Sequence, residues 1–274
     1  RIAIKYELTP SLVLRANVGT GFRAPYGFSE DLHLCSGSPR VWKSSNLKGE
    51  RAISYNLSAD YYAKKYQFSI NIFRTNLKDK IQFSPADDEV KKFGYSYQWE
   101  NVDDAYVQGV ELGAKANLFR NFNAGVNWTF NQGKFKHERA DWSDPNDETV
   151  KEFPQRLQYA KDSRNISRFP AMTGDIDLDY TPGTWSFSLT SSLQGKMYID
   201  YNSEDDGATS KIKKTNTFML FNCRAAKRFG MCTVYAGAKN IFSYIQDEKH
   251  TDDAAFMYAP VYGATWYVGL SVKL

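Results

Sequence analysis

From Phe122 to Asn131 the chain reads FNAGVNWTFN, and apolar and polar positions alternate without a break. Phe122, Ala124, Val126, Trp128 and Phe130 fall on one face; Asn123, Gly125, Asn127, Thr129 and Asn131 fall on the other. A period of two is the signature of a strand, because successive side chains of extended backbone point to opposite sides. The pattern recurs at Met172–Tyr180, where Met172, Ile176, Leu178 and Tyr180 oppose Thr173, Asp175, Asp177 and Asp179. It returns from Trp185 onward, with Phe187, Leu189, Leu193, Met197 and Ile199 against Ser186, Ser188, Thr190, Ser192, Gln194 and Lys196. The last stretch sets Trp266, Val268, Leu270, Val272 and Leu274 against Tyr267, Gly269, Ser271 and Lys273. Matching this template predicts about eleven strands, near 1–7, 12–22, 50–63, 66–83, 96–118, 122–140, 167–181, 184–201, 216–228, 231–243 and 264–274.

The connections sort by length. Short turns are expected at Leu8–Ser11, Lys64–Lys65, Phe119–Asn121, Pro182–Gly183 and Phe229–Gly230; long polar connections at 23–49, 84–95, 141–166, 202–215 and 244–263. Short and long alternate, as in an up-and-down meander whose two ends face different surroundings. Transmembrane β-barrels are built this way, with short periplasmic turns and longer extracellular loops.

A soluble β-sandwich also alternates apolar and polar positions. Its strands usually run about 5–6 residues, however, and several predicted here are more than twice that. Aromatic residues (Tyr61, Tyr62, Tyr66, Phe68, Phe122, Tyr180, Trp185, Phe187) crowd the strand ends near the short turns, where an interfacial girdle belongs. The fold class read from the sequence is therefore all-β, a transmembrane antiparallel up-and-down barrel. The apolar face meets lipid, and the polar face (Arg15, Asn17, Glu111, Lys115, Asn127, Asp175, Asp177, Asp179, Lys196, Arg224, Lys239) lines a wet lumen. Bacterial single-chain barrels have even strand numbers. Counting back from a final strand that ends in the periplasm, the first strand starts on the extracellular side. The expectation is that 1–274 is the C-terminal portion of a larger barrel of 22 strands or so, a size that needs a plug.

Composition narrows the function classes. Apolar residues make up 42%, charged residues 24% and aromatics 15%, with a formal charge of +4. Nowhere do apolar residues run long enough for a membrane-spanning helix, and RIAIKYELTP lacks the pattern of a signal peptide. No basic stripe with interleaved aromatics marks nucleic-acid binding. Cys35, Cys223 and Cys232 include no C-x-x-C pair, which removes zinc and dithiol redox readings. G-x-S-x-G, H-E-x-x-H and the P-loop are missing, and Gly19-Thr20-Gly21 ends a strand with no helix after it, so no enzyme is expected.

Five segments in order carry a resemblance. LVLRANVGTGFRAP (Leu12–Pro25), SNLKGERAISYNLSADY (Ser45–Tyr61), ENVDDAYVQGVELGAKANL (Glu100–Leu118), AGAKNIFSY (Ala236–Tyr244) and YGATWYVGLSVKL (Tyr262–Leu274) resemble the C-terminal barrel half of TonB-dependent outer-membrane receptors. Ser45 and Gly49 stand where that family carries proline, and Leu274 where it favours an aromatic. The plug domain, the N-terminal strands and the energy-coupling box have no counterpart in these residues. The resemblance implies a Gram-negative outer-membrane receptor taking up a scarce nutrient, such as an iron–siderophore complex or cobalamin. Its partners would be outer-membrane lipid, the small-molecule ligand and, through the plug, the TonB complex. It implies no resident cofactor.

Ligand contacts belong to the extracellular loops and upper lumen. The candidates are Arg23, His33, Trp42, Trp142 and Tyr258. Arg23 and Pro25 shape the start of a loop, where an arginine also suits an anionic siderophore. Haem receptors of the resembled family carry an axial histidine in the interval holding His33, which makes it a candidate iron ligand and a haem receptor the alternative; His137 and His250 lie in other loops. Trp42, Trp99, Trp142, Tyr201, Tyr258 and Tyr262 either meet an aromatic ligand or pack the loops. DWSDPNDE (Asp141–Glu148) and NSEDDG (Asn202–Gly207) cluster oxygens as calcium loops do, but complete no EF-hand and read as solvated acidic loops. A passive channel or barrel-anchored adhesin is the reading from another class, and a soluble β-protein the third.

Overall fold

A computed structural model describes residues 1–25, 41–44, 46–138, 164–198, 214–246 and 258–273, a short helix at 148–152, and isolated positions beside it. The architecture is a single antiparallel sheet in which each long strand pairs with the next in sequence. The strands are β1 (Ile2–Thr9), β2 (Leu12–Arg23), β3 (Val41–Lys43), β4 (Glu50–Tyr62), β5 (Tyr66–Pro85), β6 (Tyr97–Phe119), β7 (Phe122–Phe135), β8 (Met172–Tyr180), β9 (Trp185–Gln194), β10 (Phe218–Phe229), β11 (Cys232–Lys239) and β12 (Thr265–Val272). The spatial order is β1-β2-β4-β5-β6-β7-β8-β9-β10-β11-β12, with β3 beside β6. Among the described residues, the short helices α1 (Asp88–Lys91) and α2 (Glu148–Glu152) sit in the long connections.

Eleven long strands were expected, and the described sheet holds twelve because of β3. This three-residue strand lies parallel to Tyr97–Trp99, and three residues are too few to display a period. Strands β7, β8, β9 and β11 stop short of their expected outer ends.

Exposure follows the faces. In β4, half-buried and exposed positions alternate, and Ile53, Tyr55 and Leu57 are among the exposed ones. A curved sheet shelters its concave side, so the apolar face is the outward one. Cross-strand pairing keeps apolar residues in rows: Ile4, Ala16, Leu57, Ile72, Val110 and Phe130 are successive partners across six strands. The inward face carries a ladder of polar pairs instead. Asn56 donates to Asn17 at 3.1 Å, Asn71 to Glu111 at 2.9 Å and Asn127 to Asp175 at 2.8 Å. Arg15 pairs with Asp60 on the same face.

The short turns gather at one end. Asn121, Gly183 and Gly230 adopt positive φ (67°, 61° and 59°), the left-handed backbone that tight turns demand. Around these turns the expected girdle is assembled: Phe119 stacks on Phe122 at 4.7 Å, and Tyr180 and Trp185 lie 6.4 and 5.7 Å from Phe187. On β6 the outward positions stay apolar from Leu118 to Val110, nine residues. At about 3.3 Å per residue and a tilt of about 40°, that climbs roughly 23 Å, against about 25 Å for the lipid band of a membrane barrel. No helix among the described residues is long and apolar enough to cross a membrane.

At the C-terminal hairpin two inward tyrosines lie over glycines of the facing strand. Tyr235 is paired with Gly269 and Tyr267 with Gly237, and a Cβ on either glycine would collide with the opposing phenol ring. The rings cover backbone that would otherwise be open to the lumen. Gly269→Val is expected to cost about 1–3 kcal/mol by overpacking. The check is the fraction of full-length protein that keeps heat-modifiable gel mobility, which should fall relative to Ser271→Val on the same face.

Candidate functional site

The site grows from the ends of β2, β4, β5 and β6 opposite the short turns. At this end β5 carries a bulge: its register against β6 shifts between Leu77 and Ile81. Asp79 there takes φ 54°, and aspartate tolerates the left-handed region better than most residues. Its N–H donates to Asp104 Oδ1 at 3.1 Å, and its carbonyl accepts from Asn101 Nδ2 at 2.7 Å. Asn101 also donates to the Lys48 carbonyl at 3.0 Å and accepts from the Lys48 N–H at 2.7 Å, which ties the start of β4 to β6. A bulge re-aims side chains, and here it turns Lys80 toward a partly buried position.

Lys80, Arg23, Glu50 and Trp99 form the core of the arrangement. Arg23 pairs with Glu50 across the β2–β4 ladder, and its guanidinium lies 6.0 Å from the centre of the buried Trp99 ring. Glu50 Oε2 accepts from the Ile81 N–H at 3.0 Å. Lys80 Nζ is 5.7 Å from the Phe135 ring. Next to Trp99, the buried Gln98 donates to Glu100 Oε2 at 3.1 Å. These groups lie beyond Ile72, the last apolar outward position of β5, and so above the lipid band. Burial holds the Lys80 ammonium below its ordinary range; the Glu50 carboxylate restores part of it, and the Arg23 charge lowers it further. Asp103 also lies above the band. Burial raises its carboxyl, but His137 backbone and side-chain hydrogen bonds, with the Asp104 N–H, outweigh this and hold it low. His137 Nδ1 is 2.9 Å from Asp103 Oδ1.

Of the sequence candidates, Arg23 belongs to this cluster. Trp42, in β3, meets Tyr95 edge-on at 5.1 Å and borders it through the β3–β6 pairing. Tyr258 is elsewhere, buried against Met197 and Phe218. Its N–H and that of Ala259 donate to Gln246 Oε1 at 2.9 and 3.1 Å, so it locks a loop against β9 and β10. His33, Trp142, Tyr201, His250, Cys35 and the acidic loop Asn202–Gly207 lie outside the described residues, as does most of Asp141–Glu148. Among the described residues no cluster of His, Cys, Asp and Glu could hold a metal. Sequence reasoning missed Lys80 and Glu50, because each sits in an alternating run: the β5 bulge re-aims Lys80, and only the β2–β4 register sets Glu50 opposite Arg23.

At the other end, Lys115, Asp177 and Asp179 line an inward hollow with Asn123 and Gln67. Near β11, Asn240 takes φ 49° and donates to the carbonyls of Tyr244 and Tyr262 at 2.7 and 3.1 Å. This accounts structurally for the asparagine of AKNIFSY.

Glu50→Gln keeps the acceptor for Ile81 but removes the charge. The Lys80 pKa is expected to fall further, and Arg23→Gln should raise it, read from the NMR shift of the dimethylated lysine. A lysine pKa depressed by folding costs stability while the group is charged, and the cost fades as pH rises through the folded value. Glu50→Gln should therefore melt lower near neutral pH, and the deficit should shrink in alkali.

A family model described as TonB dependent receptor-like, beta-barrel matches residues 1–241. The vitamin B12 transporter BtuB of Photobacterium profundum is 26% identical over 229 residues, covering 82% of this chain and 30% of that protein. The siderophore receptor PirA from Acinetobacter baumannii superposes with a TM-score of 0.70 at 16% identity, over 98% of this chain and 40% of that one. The copper transporter OprC superposes with a TM-score of 0.68 at 20% identity, over 98% and 38%. The chain thus spans less than half the length of these proteins. By the match over most of its length, the chain belongs to the TonB dependent receptor-like β-barrel family.

Proposed function

We propose that this chain is the barrel portion of a Gram-negative outer-membrane receptor that takes up a scarce nutrient through TonB-linked transport, with a plug domain closing the lumen. The observation that carries the reading is the cluster at the loop end of the sheet. Arg23 lies beside the Trp99 indole and Lys80 beside the Phe135 ring, the two cations close enough to sense each other's charge, on the side where the long connections gather. Cations beside a flat apolar surface favour an anionic ligand with planar groups, and an iron chelate with catecholate or carboxylate donors has that character. Vitamin B12, siderophore and copper appear in the names of the similar proteins. The polar inward face supplies a wet wall against which a plug can move without exposing apolar surface.

A strain lacking the full-length receptor is expected to lose growth on one defined iron chelate or on cobalamin, and to regain it with the intact gene. Growth unchanged on every such source would overturn the reading. Arg23→Ala combined with Lys80→Ala should weaken capture of the anionic chelate about tenfold or more, the worth of one to two charged hydrogen bonds. Titration of the purified receptor by tryptophan fluorescence provides the measurement.

A further inference from the structure

On β5, β6 and β7 the outward face changes character abruptly between two neighbouring rows, while on β1, β2 and β4 the next row is still apolar, with Ile2, Val18 and Tyr55. The row Ile4–Ala16–Leu57–Ile72–Val110–Phe130 is apolar throughout. One step toward the loops, the partners on β5, β6 and β7 are Arg74, Gln108 and Gln132, and the next step brings Asn76, Tyr106 and Lys134. Beyond them Arg51 pairs with Lys78 on the same face. A cation on the lipid side of a barrel is costly near the midplane and tolerated only toward the interface. Arg74 therefore stands at the edge of the apolar band, on the side of the long connections.

The side chains there are organised. Arg74 Nη1 donates to Gln108 Oε1 at 2.6 Å and Nε donates to Asn76 Oδ1 at 2.9 Å. Gln108 Nε2 donates to Gln132 Oε1 at 2.9 Å, and the guanidinium lies 4.4 Å from the Tyr106 ring centre. These partners are neutral, and among the described residues no salt bridge reaches Arg74. Asp104, in line with Tyr106, has its carboxylate on the Asp79 N–H. The network holds the fork in place, and two of its five N–H donors are spent on these two bonds. Val18 and Tyr55, level with Arg74, and Ile4, Leu57, Ile72 and Val110, one row deeper, line a shallow apolar groove that Arg74 and Gln108 close at one end.

We infer that this surface binds the phosphorylated headgroup of an anionic lipid in the outer leaflet, with Arg74 and Lys134 on the phosphate and an acyl chain in the groove. Two independent features select this occupant. The cations, with Arg51 and Lys78 behind them, complement a phosphate. The groove continues from the cationic end into the band that lipid tails occupy, and a soluble anion has no use for it. Arginine suits the task, because its fork offers paired donors to phosphate oxygens. The inference rests on the outer-membrane reading of the barrel.

The test uses the full-length receptor in dodecylmaltoside, titrated with diphosphoryl lipid A and followed by tryptophan fluorescence. The double variant Arg74→Gln/Lys134→Gln should bind at least about tenfold more weakly. Arg74→Lys should fall between that variant and the native protein. Lys227→Gln, outward beside Trp185 at the opposite end, should match the native protein. Unaltered affinity in the double variant, with heat-modifiable mobility intact, would overturn the proposal. Equal binding of dephosphorylated lipid A would do so too, as would displacement by equimolar inorganic phosphate, which would mark a free-anion site. If the double variant instead abolished a cross-linked dimer and left lipid A affinity alone, the face would be a protein contact and the proposal would fail. Fractionation separates the two readings: absence from the outer membrane refutes the barrel reading, whereas presence there with unchanged lipid A affinity refutes this inference alone.

Discussion

Backbone amides and carbonyls cannot be left unpaired in hydrocarbon, where each orphan group costs several kcal/mol. Every other feature of this chain follows from how a strand-based protein meets that condition. Each long strand from β2 to β11 is bonded on both sides, and β1 and β12 are the edges of the sheet. Pairing in continuous register fixes the rows, and the rows fix which side chains share a face. The outward face can then be apolar because the backbone's polarity has already been dealt with inside the sheet.

The two faces solve different problems with the same periodicity. Outward, the row from Ile4 to Phe130 gives lipid a uniform surface. Inward, amides, hydroxyls and carboxylates pair across strands, as Ser54 and Thr75 do at 2.8 Å. Such contacts contribute little stability individually, but they keep a water-facing wall ordered. Where the sheet leaves the membrane the constraint relaxes, and irregularity enters: the β5 bulge at Asp79, the parallel strand β3 and the short helix α1 all lie at the loop end. Chemistry concentrates there for the same reason. The ladder sets Arg23 opposite Glu50, and the bulge that interrupts it on β5 brings Lys80 within reach of both.

The architecture was legible in the sequence because its information is local. Period two, girdle aromatics such as Phe122 and Trp185, and the alternation of short and long connections each need only a window of residues. Strand β3 was not legible, since three residues carry no period and its partner Tyr97–Trp99 is more than fifty positions away. The candidate site divides in the same way. Arg23 was identified at a break in alternation. Tyr258 looked like a loop aromatic until packing against Met197 and Phe218 showed it to be a clamp. Lys80 gave no signal, because a bulge is an event between two strands, and Glu50 gave none, because its place opposite Arg23 depends on the register of β2 against β4.

By itself the sequence determined the fold class, the sense of each face and the end at which the long connections lie, because these depend on the alternation of side chains along one strand. The tertiary structure decided which residues become neighbours. It set Arg74 against Gln108 and Tyr106 on the lipid side, Lys80 between Glu50 and Arg23 at the mouth, and Tyr235 over Gly269. Those meetings depend on the register between strands and on the bulge that shifts it. Register is a property of pairs of segments, which no single segment can encode.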